Sequence, residues 1–220
     1  MGSITVLSGG FGSGKTEIAI NMALDTAEKV NNVILADLDL VNPYFASRDA
    51  KKYLDERGVR LLAPKGELSL GDLPSVPPEI MGFVKQNNNL IIDLAGDEVG
   101  ALVLGYISNI VRHRNNMEFL MVINPYRPFA SQLSDLAELK ALLEGAAHLN
   151  FTGIVSNPNL VEETDIDVII NGHRKVEQYA DKLKIPIRCL AVQEKFFAQL
   201  VPTYGKKLKK LKLFLRPHWL

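Results

Sequence analysis

The 220-residue chain predicts an α/β fold in three layers, a mostly parallel twisted sheet with helices on both faces. Three observations carry that expectation. Short apolar runs alternate with longer runs of helical period along the chain, the pattern of strand–helix–strand crossovers. Some of the apolar runs, such as Val33-Ile34-Leu35-Ala36 and Leu90-Ile91-Ile92, are continuous rather than alternating, which suits strands covered on both faces. Polar residues close these runs, at the carboxyl ends where open parallel sheets hold their ligands.

In order, Ile4-Thr5-Val6-Leu7 is a β-rich run, and Ile20, Ala23, Leu24 and Ala27 then fall on one helical face. The strand at 33–36 ends in Asp37-Leu38-Asp39, and Asn42-Pro43 breaks the chain. Residues 44–57 can be helical up to Gly58, and 59–62 is a short strand. From Pro64 to Pro78 the chain is rich in Pro and Gly with weak periodicity, a long surface loop. A short helix at 79–86 precedes the apolar strand Leu90–Ile92, closed by Asp93 and followed three residues later by Gly96. Residues 99–111 are mostly apolar, with Asp97 and Glu98 before them and Arg112, His113 and Arg114 after. That charge order complements a helix dipole. Strands at 118–123 and 151–155 stop at Asn124-Pro125 and just before Asn157-Pro158. The helices at 131–147 and 165–183, the strand at 185–192 and a short helix at 194–200 complete the alternation. No repeat or domain-breaking linker is visible, so residues 1–205 read as one domain, with 206–220 as a basic amphipathic tail.

With 47% hydrophobic residues the chain can bury a sizeable core, and its formal net charge of zero gives no global attraction to nucleic acid. A single cysteine, Cys189, excludes an internal disulfide framework and a multi-cysteine metal site. No apolar run reaches the roughly 20 residues needed to span a bilayer. A strand begins almost at once, with no room for a signal peptide, so the cytoplasm is the expected compartment.

Gly9-Gly10-Phe11-Gly12-Ser13-Gly14-Lys15-Thr16 reads G-x-x-x-x-G-K-[ST] between the first strand and the first helix. This is the phosphate-binding loop of a P-loop NTPase fold. Its glycines permit the backbone to turn successive N–H groups inward as an anion nest. Lys15 is expected to reach the β- and γ-phosphates and Thr16 to ligate Mg²⁺, at a helix N-terminus that favours anions. Glu17 completes the candidate nucleotide contacts. Asp93 occupies the Walker B position for Mg²⁺, and Asp93-Leu94-Ala95-Gly96 has the D-x-x-G form of a γ-phosphate sensor, with the Gly96 N–H as its contact. Asp39 is the candidate for orienting or deprotonating the attacking water. Asn157 could bond a base edge; Ser156-Asn157-Pro158-Asn159 is not the N-K-x-D of guanine-specific proteins, so ATP is favoured.

With these residues the chain resembles the MinD/ParA/CobQ-type family of SIMIBI-class P-loop ATPases, which also holds nitrogenase iron protein and the arsenite-pump ATPases. The resemblance runs from the loop at 9–16 to the strand near Pro186. It implies that Asp39, second of the Asp37-x-Asp39 pair, activates water, that Asp93 supports magnesium, and that Asn157 contacts adenine. Many members carry a signature lysine as the second loop residue, reaching across an ATP-sandwiched dimer; here that position is Gly10. Arg48 is a candidate substitute charge.

The resemblance implies a Mg²⁺-dependent ATPase acting as a nucleotide switch on a protein partner or a homodimer. Residues 99–111 and 64–78 are candidate partner surfaces. The alternative is an ATP-dependent biosynthetic enzyme, amide-forming or kinase-like, with a small-molecule pocket near Tyr44, Tyr126 and Arg127. A GTP-dependent metal-insertion protein would need a Cys/His cluster, and His113, His148, His173 and His218 are scattered. In the tail, Leu208, Leu211, Phe214 and Leu215 share a helical face among lysines, with Trp219 beyond. Such a helix either packs on the domain or lies in a membrane interface, as in MinD-like proteins.

Overall fold

The structure, a computed structural model, describes residues 2–39, 51–63, 78–86, 88–114 and 116–215. Eight strands form one sheet: β1 (Ile4–Ser8), β2 (Val33–Leu38), β3 (Val59–Leu62), β4 (Asn89–Leu94), β5 (Met117–Ile123), β6 (Gly153–Ser156), β7 (Ile187–Gln193) and β8 (Leu208–Leu211). Their spatial order is β3-β2-β4-β1-β5-β6-β7-β8, and every pairing is parallel. The helices are α1 (Lys15–Ala27), α2 (Lys51–Asp55), α3 (Pro78–Lys85), α4 (Glu98–Val111), α5 (Leu133–Ala147), α6 (Ile166–Leu183) and α7 (Glu194–Tyr204). The three-layer α/β expectation holds.

The continuous apolar strands do what a doubly covered sheet requires. Val6, Ile34, Ile92, Met121 and Ile123 face one core with Leu104 and Ile107 of α4, Leu136 and Leu143 of α5, and Val176 of α6. Their neighbours Leu7, Leu35, Ile91, Leu120 and Val122 face the other, against Ile18, Ala19 and Ala23 of α1 and Leu54 of α2. Each strand thus alternates by two between cores rather than between core and water. α4 starts where its charges predict, with the Asp97 carboxylate accepting from the Gly100 N–H at 3.0 Å.

The structure corrects the expectation for the tail. Residues 208–211 are not helical; they form β8, which pairs with β7 at the sheet edge. Lys210-Leu211-Lys212-Leu213-Phe214-Leu215 also has period-two character, and an open sheet edge favours that period over the helical one. Leu211 is buried with the α1 core, and Phe214 and Leu215 pack against it. α7 also runs past its expected end at Leu200, to Tyr204, with Pro202 inside its last turn. Of the segment read as helix at 44–57, residues 51–55 are helical. Asn42, Tyr44 and Arg48, most of the loop 64–78, and Trp219 lie outside the described residues. No helix among the described residues is long and apolar enough to cross a membrane.

Candidate functional site

β1 lies at the centre of the sheet, between β4 and β5, where the direction of crossover changes. That is the topological switch point at which open α/β sheets bind ligands. The loop 9–16 leaves β1 there and opens α1. Gly14, with φ +91°, turns the chain into the helix, and a Cβ on it would stand 2.3 Å from Asn157 Nδ2. Both conformation and space therefore demand glycine. Gly96 closes the loop from the other side: a Cβ there would meet the Gly9 carbonyl oxygen at 2.6 Å, and Lys15 Nζ and the Phe11 nitrogen at 3.0 Å. The residue expected to sense the γ-phosphate is thus in contact with the loop itself.

Lys15 is buried, and its Nζ donates to the carbonyls of Gly9 at 3.1 Å and Gly10 at 3.2 Å. Burial lowers its pKa, while the carboxylates of Asp93, Asp39 and Asp97 act in the opposite sense. Phe11 projects from the loop, 68% exposed.

The acidic group lies beneath this loop. Asp37 and Asp93 are register partners on β2 and β4, and Asp39 folds its N–H back onto Asp37 Oδ1 at 3.1 Å. Asp93 is 1% exposed, and neither of its carboxylate oxygens has a hydrogen-bond partner. Burial first, then the Asp37 charge, raises its pKa to about 7. The Thr16 hydroxyl stands near enough to pull that value down without closing a well-aligned hydrogen bond, and Lys15 acts in the same direction. Among the described residues, no group of three or more His, Cys, Asp or Glu side chains comes together as a metal cage. A hydroxyl and a carboxylate completed by phosphate oxygens and water is a donor set for Mg²⁺, and the orphaned Asp93 carboxylate beside Thr16 fits it.

Two residues expected to contact the nucleotide, Asn157 and Glu17, also hold protein partners. Asn157 Nδ2 donates to the Ser13 carbonyl at 2.7 Å. The Glu17 carboxylate accepts from the backbone N–H groups of Phe214 at 2.6 Å and Leu215 at 3.2 Å. One turn on, Asn21 Nδ2 donates to the Lys212 carbonyl at 2.9 Å, and Asn21 Oδ1 accepts from the Lys212 N–H at 2.8 Å. The start of α1 therefore clasps residues 212–215. A cavity of about 330 Å³ adjoins the loop, between Gly12, Gly14 and Asn157 on one side and Leu211, Leu213 and Leu215 on the other.

Two further residues belong here, Asn124, read from the sequence as a strand terminator, and Arg127, read as lining a small-molecule pocket. Asn124 is buried; its Nδ2 donates to the Asn159 carbonyl at 2.8 Å, and its Oδ1 accepts from the Tyr126 N–H at 3.2 Å. It staples together the loops that follow β5 and β6, a tie that the strand-ending Asn-Pro pairs did not reveal. Arg127 lies against Gly12, with its Nε buried and unpartnered. Tyr126, expected near a small-molecule pocket, is engaged elsewhere: its hydroxyl donates to the Val168 carbonyl at 2.7 Å, and its ring covers Gly172.

No protein-family model and no curated protein sequence matches this chain. Solved structures do. FtsY of Thermotoga maritima aligns with a TM-score of 0.57 at 18% identity, over 87% of this chain and 62% of its own. Chloroplast FtsY of Physcomitrella patens gives 0.58 at 16% over 86% and 58%, and FtsY of Mycoplasma mycoides 0.53 at 20% over 87% and 60%. The chain shares the α/β phosphate-loop fold of these proteins. At these identities the likeness concerns the fold, and the chain spans about three-fifths of the length of these neighbours. That likeness bears on the fold and does not single out MinD/ParA proteins.

Proposed function

We propose that this chain is a Mg²⁺-dependent nucleoside-triphosphate switch that hydrolyses its nucleotide slowly and controls a partner by its nucleotide state. The observation that carries the proposal is the Asp93 carboxylate, buried without a partner below the phosphate loop and next to Thr16. A carboxylate in that condition is costly unless a ligand completes it.

Thr16 and Asp93 would hold Mg²⁺, with Asp39 at the edge of the site; when bound, the ion neutralises charge on the phosphates. Lys15 exchanges the carbonyls of Gly9 and Gly10 for phosphate oxygens. Asp39, positioned through Asp37, orients the attacking water. Gly96 touches both the loop and Lys15, so a γ-phosphate that moves either one is felt at the start of α4. Beyond it, α4 exposes Val99, Leu102 and Tyr106 at helical spacing, and Phe11 and Phe129 are exposed on the loops. We assign partner or homodimer contact to these residues.

The base is a purine. The residues at 156–159 favour adenine, whereas the FtsY of Elizabethkingia anophelis, at a TM-score of 0.52 and 17% identity, was solved in complex with GDP. Direct competition between ATP and GTP decides between them. The function itself is tested by measuring phosphate release without any added co-substrate. Slow Mg²⁺-dependent turnover, lost in Asp39→Asn with nucleotide binding retained, is expected. Turnover only in the presence of a carboxylic acid or alcohol substrate would replace the switch with a biosynthetic enzyme.

A further inference from the structure

Gly10 has little room for a side chain, because a Cβ there would stand 3.0 Å from Phe129 Cβ. A lysine at this position would have to displace Phe129. The loop therefore lacks the second cation that many of the proteins it resembles carry, and the structure offers another one nearby. Arg127 follows β5 and enters a 3-10 turn at 128–130. Its side chain crosses the phosphate loop, with Cδ and Nε each 3.6 Å from the position of a Cβ on Gly12. Nε is buried and has no hydrogen-bond partner. Among the described residues, no carboxylate forms an ion pair with this guanidinium. Arg127 also lines the 330 Å³ cavity beside the loop.

A desolvated, unpaired guanidinium donor is unfavourable unless an anion reaches it. We propose that Arg127 binds the nucleotide's phosphate chain in cis, taking over charge that Gly10 cannot supply; the assignment rests on the phosphate-loop function proposed above. Position defines its share of the chain. Lys15, Thr16, Asp93 and Gly96 gather at the metal and γ-phosphate end. Arg127 stands at Gly12, on the side of the cavity that would take the nucleoside. It therefore contacts the α- and β-phosphates, where a planar guanidinium can donate two parallel bonds.

Titration calorimetry with ATP, GTP, their diphosphates, and adenosine and guanosine tests this. Arg127→Ala is expected to weaken di- and triphosphates alike, by about ten- to a hundredfold, and to leave the nucleosides unaffected. Arg127→Lys should recover part of the loss. The Arg127 backbone bonds, from its N–H to the Asn124 carbonyl and from the Ala130 N–H to its carbonyl, do not depend on the side chain, so the turn should survive. Arg127→Gln serves if the alanine variant fails to fold. Equal triphosphate affinity in wild type and variant overturns the Arg127 assignment alone. Absence of triphosphate binding in the wild type overturns the phosphate-loop function together with it.

Discussion

Asn157 Nδ2 and the Ser13 carbonyl lie 2.7 Å apart, joining residues separated by 144 positions in sequence. The bond braces the phosphate loop from the end of β6. Asn157→Ala removes the donor and strands a buried carbonyl, which should cost about 1–3 kcal/mol. Asn157→Asp places a carboxylate against that carbonyl and should be worse. Thermal melts rank the three proteins, and equal midpoints would remove the brace from this account.

Lys15 donates to the Gly9 and Gly10 carbonyls of its own loop. Lys15→Ala should therefore weaken triphosphate binding on the order of a hundredfold, the loss of several charge-assisted bonds. The melting midpoint of the ligand-free protein should move far less, since the variant also loses a buried cation. Calorimetry and a ligand-free melt separate the two effects.

The raised pKa of Asp93 makes stability depend on pH in a defined sense. Its folded value, about 7, lies above the ordinary 3.8, so between those values the folded chain holds a proton that the unfolded chain has released. Stability from this group is complete below pH 3.8 and is lost as pH rises through about 7. Asp93→Asn should remove that decline. Denaturant titrations of ligand-free protein in chelator, from pH 5 to pH 8, compare the slopes; parallel curves for wild type and variant contradict the assignment.

Glu17 holds the backbone of residues 214 and 215 through two charge-assisted bonds. Glu17→Ala should cost roughly 2 kcal/mol and release the segment from α1. Hydrogen exchange reports it: protection at Phe214 and Leu215 should fall while that of β4 and β5 is unchanged. Retained protection at 214 and 215 would show that the leucines alone hold the segment.

The legible parts of this molecule were the local ones. The phosphate loop announces itself because eight consecutive residues carry its mechanics, and Asp37 and Asp93 because each ends a continuous apolar strand. What the sequence hid lies between distant segments. The partners of Asn157 and Glu17 are 144 and almost 200 residues away, and no local pattern encodes such pairings. Arg127 was read beside Tyr44 and Tyr126 in a small-molecule pocket, and its place against Gly12 emerges only from the fold. The tail was misjudged for another reason: its leucines satisfy two periods, and only the vacant edge of β7 selects between them.

The Glu17 clasp engages main-chain amides, and it does so without consulting side-chain identity. As far as the clasp is concerned, positions 214 and 215 accept any residue that keeps an N–H, and proline alone is forbidden. Substitutions there are consequently filtered by the apolar surroundings of Phe214 and Leu215, so chains of very different composition after β8 could dock against α1 in the same way.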